Sequence, residues 1–259
     1  MPAKRKQRRS RSSKKVTGKY KRAEKQEIAE KRRTTSSKVQ NSKFSTALLL
    51  WFKDHARVFF WREEKLTSFQ SLVVELLLQK TRAETVEKFI RGFLKRYPDP
   101  ESVNKAETSD LEEHLEPLGL SKRRANHLKE ISKNILEKHG GNVPMEYAAL
   151  TSMKGVGPYI ANAVICFNGG IRKTVIDSNV IRIITRYFDL PVPMDVRRPG
   201  KIAEVLDDLL PEKEFSDFNY ALLDLGALIC LPRKPYCQEC PLMEGCQYYL
   251  RNIKKDSRF

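Results

Sequence analysis

The chain is compatible with an all-α fold, on two observations. Apolar residues recur at helical spacing in long stretches: Leu72, Val73, Leu76 and Leu77, then Val86, Phe89, Ile90 and Phe93, and later Ile160, Ala161, Val164, Ile165 and Phe167. Between these stretches, residues 98–141 read as short helices joined by brief loops. Ser102, Thr108 and Ser121 are the expected N-caps, and Gly140-Gly141 closes the last helix of that region.

Composition sets the class. A chain of 259 residues builds one large domain or two small ones. It has no apolar run long enough to span a bilayer and no signal-peptide core, so a soluble, intracellular protein with no membrane partner is expected. The formal charge of +17 is unevenly placed: residues 1–43 hold 17 Lys and Arg against 3 Glu, which leaves only +3 for the remainder. That tail has almost no apolar residues and is expected to be disordered when free. A basic arm of this density favours polyanions through counterion release, without sequence preference. It also suits nuclear localisation in a eukaryote, or simple solubilisation, and fits a transit peptide less well.

In chain order, Phe44-Ser45-Thr46 leads into ALLLWFKDHARVFFW, a helical pattern rich in aromatics. Phe60 and Trp61 suit core packing. Glu75 then sits among Val73, Val74, Leu76, Leu77 and Leu78. A carboxylate in that setting loses hydration, so its pKa is expected to rise. Such a group marks either an acid–base site or a satisfied ion pair. Gln79-Lys80-Thr81 ends this helix, as a solvated terminus or as a wedge. His114, His127 and His139 stand singly in helices and read as surface or packing residues.

Residues 150–179 carry the most chemistry. Gly155-Val156-Gly157 places two residues without Cβ around one apolar anchor. Lys154 precedes them, and Pro158 suits the first position of the next helix. Asn168-Gly169-Gly170 stops that helix. The turn is either an ordinary helical hairpin or an anion site with N–H groups free at a helix N-terminus. Tyr159 follows the turn, and Asp177 offers an exposed carboxylate just beyond. Near the end, Cys230, Cys237, Cys240 and Cys246 are separated by six, two and five residues. Four thiols in so short a loop suit one tetrahedral metal or a cubane cluster, with two disulfides as the alternative. Cys166, on the apolar helix after the hairpin, reads as a small core residue.

GVGPY followed by VIDSNVIRI resembles the hairpin and catalytic loop of the endonuclease III and MutY superfamily of helix-hairpin-helix DNA glycosylases. VELLLQKT and the Phe60-Trp61-Arg62 segment resemble further parts of it, with Phe60 where the family has proline, and every gap of the cysteine loop matches the family's iron–sulfur loop. The resemblance spans residues 44–249 and lies nearest the Mig-type mismatch-specific thymine/uracil DNA glycosylases. It implies a six-helix domain over residues 72–183 and an iron–sulfur domain built from 44–71 and 184–259, with the flipped nucleotide in the cleft between them.

The resemblance also implies roles. Asp177 carries excision, Glu75 faces the extruded nucleotide, and Tyr159 stands where lyase members have lysine. Lys154, Gly155, Val156 and Gly157 grip a phosphate, with a monovalent cation as a candidate at the turn. Gln79 and Lys80 enter the duplex, and Arg233 and Lys234 meet DNA from the cysteine loop. The cofactor implied is a [4Fe–4S] cluster on Cys230, Cys237, Cys240 and Cys246. Tyrosine forms no Schiff base, so a monofunctional glycosylase is expected, acting as a monomer on double-stranded DNA in nucleoid, cytoplasm or nucleus. Thymine or uracil opposite guanine is the expected target, because the tyrosine-rich GLGYY pattern of MutY is absent and the chain ends soon after the cysteines. Adenine opposite guanine or 8-oxoguanine is the alternative substrate. A non-catalytic DNA-binding iron–sulfur protein is the alternative of another class.

Overall fold

The computed structural model describes residues 41–256. The basic tail therefore lies, save for its last three residues, outside the described residues. Among the described residues all regular structure is helical. None of these helices is long and apolar enough to cross a membrane.

Helix α1 covers residues 41–55 and α2 covers Phe60–Glu63. The aromatic run expected as one helix is thus broken at residues 56–59. The break has a physical cause: the Arg57 backbone N–H donates to Asp224 Oδ2 at 2.9 Å, so a carboxylate replaces the helix ladder there. Helix α3, Ser68–Leu78, opens with a capping box between Thr67 and Gln70. Its Leu72, Val73, Val74, Leu76 and Leu77 are all buried.

Helices α4 (Ala83–Arg96), α5 (Pro100–Lys105), α6 (Thr108–Leu115) and α7 (Ser121–His139) follow. The three expected caps lie inside their helices instead. Asp99 caps α5, and Ser102 completes a reciprocal box with it, its N–H donating to Asp99 Oδ1 at 2.8 Å. Thr108 and Ser121 are first helical residues behind Glu107 and Leu120, neither of which gives a side-chain cap. Gly140 ends α7 with φ +58°, as the sequence suggested.

Helix α8 (Tyr147–Ser152) and α9 (Pro158–Ala163) form the hairpin. A wider π turn, Val164–Asn168, prolongs α9. Asn168 pins its end to the start of α3, donating from Nδ2 to Leu66 O at 3.0 Å and meeting Ser68 Oγ at 2.6 Å. Helices α10 (Ser178–Phe188), α11 (Lys201–Leu209), α12 (Phe215–Leu228) and α13 (Gln247–Asp256) complete the chain.

The buried side chains gather into two main cores. The first runs from Phe60 to Ile165 and includes Leu72, Leu77, Ile90, Leu128 and Ile160. The second joins Phe44 and Leu48 of α1 to Val180, Ile184, Leu206, Phe218 and Leu222. Phe60 and Phe69 pack in the first core and Val180, Ile181 and Ile183 in the second, so α2–α3 and α10 cross the expected boundaries at 71/72 and 183/184. Cys166 is fully buried beside Ala163 and Val175, a small core residue as expected.

Candidate active site

Between the two cores lies a cleft of about 770 Å³. Glu75 of α3, Tyr159 of α9, Asp177 at the start of α10 and Tyr220 of α12 all line it. Asp177 is placed by its own backbone role. As N-cap of α10 it accepts at 2.8 Å from the Val180 N–H and, on its other oxygen, at 2.8 Å from Asn179 Nδ2. Burial pushes the carboxyl up, while the Val180 and Asn179 donors and the nearby Arg182 pull it down. A chain of bonds fixes Asn179 in turn. Arg182 donates to Asn179 Oδ1, to Gly226 O and to Cys230 O, each at 2.8 Å. Gly226 is required here, since a Cβ would stand 2.5 Å from that of Asn179.

Glu75 is 7% exposed, and burial pushes its carboxyl up to about 7, against smaller downward pulls from the Tyr159 hydroxyl and the Arg62 charge. Tyr159 donates its hydroxyl to Glu75, and burial together with the Glu75 and Asp177 charges holds the phenol well above its ordinary value. One Glu75 oxygen, Oε2, is buried without a partner. The pair is therefore under-bonded, and the Glu75 carboxyl gains and loses its proton near neutrality.

The opposite wall was not anticipated from sequence. Asp224 of α12 is fully buried and takes four bonds: from Arg57 N and Nε, and from Arg62 Nη1 and Nη2, at 2.7–3.0 Å. Arg62 also lies over the Tyr220 ring at 4.3 Å. The signal existed: Asp224 is a lone carboxylate in the apolar run 221–225, the same pattern that singled out Glu75.

At the hairpin, Gly155 has φ +91° and packs so closely on the His127 ring that a Cβ would collide with it. Val156 is buried as the anchor, and Pro158 starts α9. Lys154 is exposed and paired with Glu130 at 2.8 Å. The Gln79–Thr81 turn meets the hairpin directly, because Gln79 Nε2 donates to Gly155 O at 3.1 Å. Arg124 braces that turn, donating to Leu77 O, Gln79 O and Thr81 Oγ1 at 2.6–2.9 Å. Arg124 was also missed, being a buried cation in a helix that otherwise reads as surface.

Cys230, Cys237, Cys240 and Cys246 line one small apolar pocket of about 30 Å³. All four are free thiols. Burial, with the neighbouring cysteines, pushes Cys237 and Cys246 up and Cys240 to about 12. Arg186 fastens the loop, donating to Cys230 Sγ at 3.3 Å and to the Leu231 and Pro232 carbonyls. Among the described residues no group of three or more His, Cys, Asp or Glu stands at a spacing that could hold a metal. The four sulfurs nevertheless share one apolar pocket, and thiolates are soft donors. Arg233 and Lys234 are exposed on the same loop.

The structure thus brings Glu75, Tyr159 and Asp177 into one cleft, and joins the Gln79–Thr81 turn to the hairpin beside it. Comparison with known proteins identifies the family. The family model described as HhH-GPD superfamily base excision DNA repair protein matches residues 73–203. A thymine/uracil-DNA glycosylase of Methanothermobacter thermautotrophicus is 34% identical over 205 residues, covering 79% of this chain and 92% of that protein. A thymine-DNA glycosylase of Aeropyrum pernix is 38% identical over 183 residues, covering 69% and 81%. The solved structure of a thermostable thymine-DNA glycosylase superposes with a TM-score of 0.78 at 31% identity, covering 84% of this chain and 99% of that one. With half the chain inside the family model, and relatives above 30% identity over most of their length, this protein belongs to the HhH-GPD superfamily of base excision DNA repair proteins.

Proposed function

We propose that the protein is a monofunctional DNA glycosylase that hydrolyses the N-glycosidic bond of thymine or uracil opposite guanine. The observation that carries this reading is the cleft itself. Asp177 and the Glu75–Tyr159 pair converge there, and among the described residues no lysine lines it. The relatives named as thymine and thymine/uracil glycosylases support the choice of base.

The chemistry follows from those groups. The target base must leave the stack, at about a few kcal/mol that is least for a mispair. Breaking the glycosidic bond builds positive charge on the sugar. The Asp177 carboxylate, held rigidly by Val180 and Asn179, stabilises that charge and orients the attacking water. Glu75, poised near neutrality, lends a proton to the departing base or holds it. Tyr159 orients Glu75 and offers no amine to attack the sugar, so the abasic strand stays intact. Cys230, Cys237, Cys240 and Cys246 are the proposed ligands of a [4Fe–4S] cluster, which would hold the loop carrying Arg233 and Lys234 against DNA. Iron and acid-labile sulfide in equal amounts, lost on Cys→Ser substitution, check that assignment; zinc or no metal overturns it.

The test of the main reading uses end-labelled duplexes with T, U or A opposite G, and A opposite 8-oxoguanine, with and without hot alkali. Alkali-dependent cleavage at T·G and U·G is expected. Cleavage only at A would move the protein to adenine excision, and cleavage without alkali would mean a lyase nucleophile. Asp177→Asn is expected to slow base release by at least about 10²–10³-fold, the scale of removing one preorganised electrostatic group, with duplex binding retained. Release at the wild-type rate would end the assignment, and binding without release in the wild type would favour a non-catalytic protein.

A further inference from the structure

The Gln79–Thr81 turn has a hollow on each face. Leu78 and Thr81 look into the catalytic cleft. Leu76, Leu77, Gln79 and Lys80 instead line a separate notch of about 50 Å³, closed on its far side by the start of α7. The rim of this notch is unusual in two ways. Lys80 and Leu120 both line it as exposed residues held at φ +57° and +55°. Left-handed backbone at non-glycine residues costs of order 1–3 kcal/mol each and persists where the surroundings enforce it. At Lys80 the enforcing group is Arg124, whose three bonds lock the turn.

The notch also carries positive charge. Among the described residues Lys80 and Arg123 have neither an ion-pair nor a hydrogen-bond partner. His127 lines the same hollow. Burial, then the Arg123 guanidinium, then Lys154 lower its ring below the usual range, with Glu130 opposing. Leu120 supplies no side-chain cap to α7, so the first N–H groups of that 19-residue helix add to the field.

We infer that this notch binds a backbone phosphate of the DNA strand opposite the one whose nucleotide enters the cleft, with Lys80, Arg123 and His127 as its donors. A duplex opened at the Gln79–Thr81 turn has its extruded nucleotide on the cleft side, which leaves the other strand on the notch side. The cationic side chains and free helix N–H groups around the hollow suit a phosphoryl group. The inference rests on duplex DNA as the partner and is independent of which base is released.

The test measures binding of the full chain to a duplex carrying a tetrahydrofuran abasic analogue opposite guanine, which no glycosylase can turn over. Neutral methylphosphonates are placed one linkage at a time on either strand. One or two substitutions beside the guanine are expected to weaken wild type about tenfold and R123M no further, with R123K behaving as wild type. The salt slope of log K is expected to fall by about 1 in R123M or K80M, the loss of one phosphate contact. Additive losses at every linkage, or coupling confined to the abasic strand, would overturn the inference. Coupling to the guanine itself, seen with 7-deazaguanine, would overturn it in favour of base reading. Failure of wild type to release T or U would sink the proposed substrate while leaving this coupling in place.

Discussion

The cleft has two walls, and each buries one carboxylate in an apolar helix. On α12, Asp224 is enclosed by two guanidinium groups and takes four bonds. On α3, Glu75 takes one bond from Tyr159 and leaves Oε2 with no partner. The first arrangement fixes a charge and ties α12 to α2 and the turn before it. The second leaves a proton free to come and go near neutrality. The sequence around a buried acid is alike in both cases; what the facing elements supply decides between a rivet and a reactive group.

The largest effect that tests this contrast is expected at Asp224. Asp224→Ala takes the carboxylate from two partly buried guanidiniums, of which Arg57 keeps Glu84, and should destabilise the fold by roughly 3 kcal/mol, the low end for a broken buried pair, read by urea denaturation. A loss below about 1 kcal/mol would show that the guanidiniums find water or new partners. Glu75→Gln should move stability the other way. Glu75 titrates at about 7 in the fold against an ordinary 4.5, so between these values the unfolded chain releases a proton that the folded chain keeps. Folded-state stability therefore falls as pH rises through that window. The glutamine variant escapes the fall, gaining from nothing near pH 4 to roughly 3 kcal/mol by pH 8, while base release drops. A pH-independent difference would mean that Glu75 is not poised as described. The smallest effect belongs to Tyr159→Phe, which removes the one donor to Glu75. It should cost about 1 kcal/mol and shift the upper end of the Glu75 window above 7. An unmoved window would show that the hydroxyl bonds elsewhere.

Much of this was legible in the chain. Helical spacing marked α3, α4 and α9, and the lone acid among aliphatics marked Glu75. Glycines and a proline marked the hairpin, whose Gly155 has a positive φ and leaves no room for a Cβ beside the His127 ring. What stayed hidden is what depends on partners far along the chain. Arg57 and Asp224 are 167 residues apart, and only folding shows that the break after α1 is held by that carboxylate. Arg124 reads as one more surface cation in SKRRANHL until the carbonyls of the α3 terminus are seen to surround it. The caps at Ser102, Thr108 and Ser121 missed because a neighbour three or one residues earlier took the boundary, which local propensity does not rank finely.

Asp177 is a helix cap and, on the proposed mechanism, the charge stabiliser as well, and this exposes the gene to a particular accident. Asparagine caps a helix as well as aspartate does, so a protein carrying Asp177→Asn would fold, persist and occupy DNA while releasing base far more slowly. The codons for aspartate and asparagine differ by a single G-to-A transition, the very change that an uncorrected thymine opposite guanine leaves after replication. On the proposed activity, the lesion this protein removes is also the one best suited to silence it without a trace in its fold.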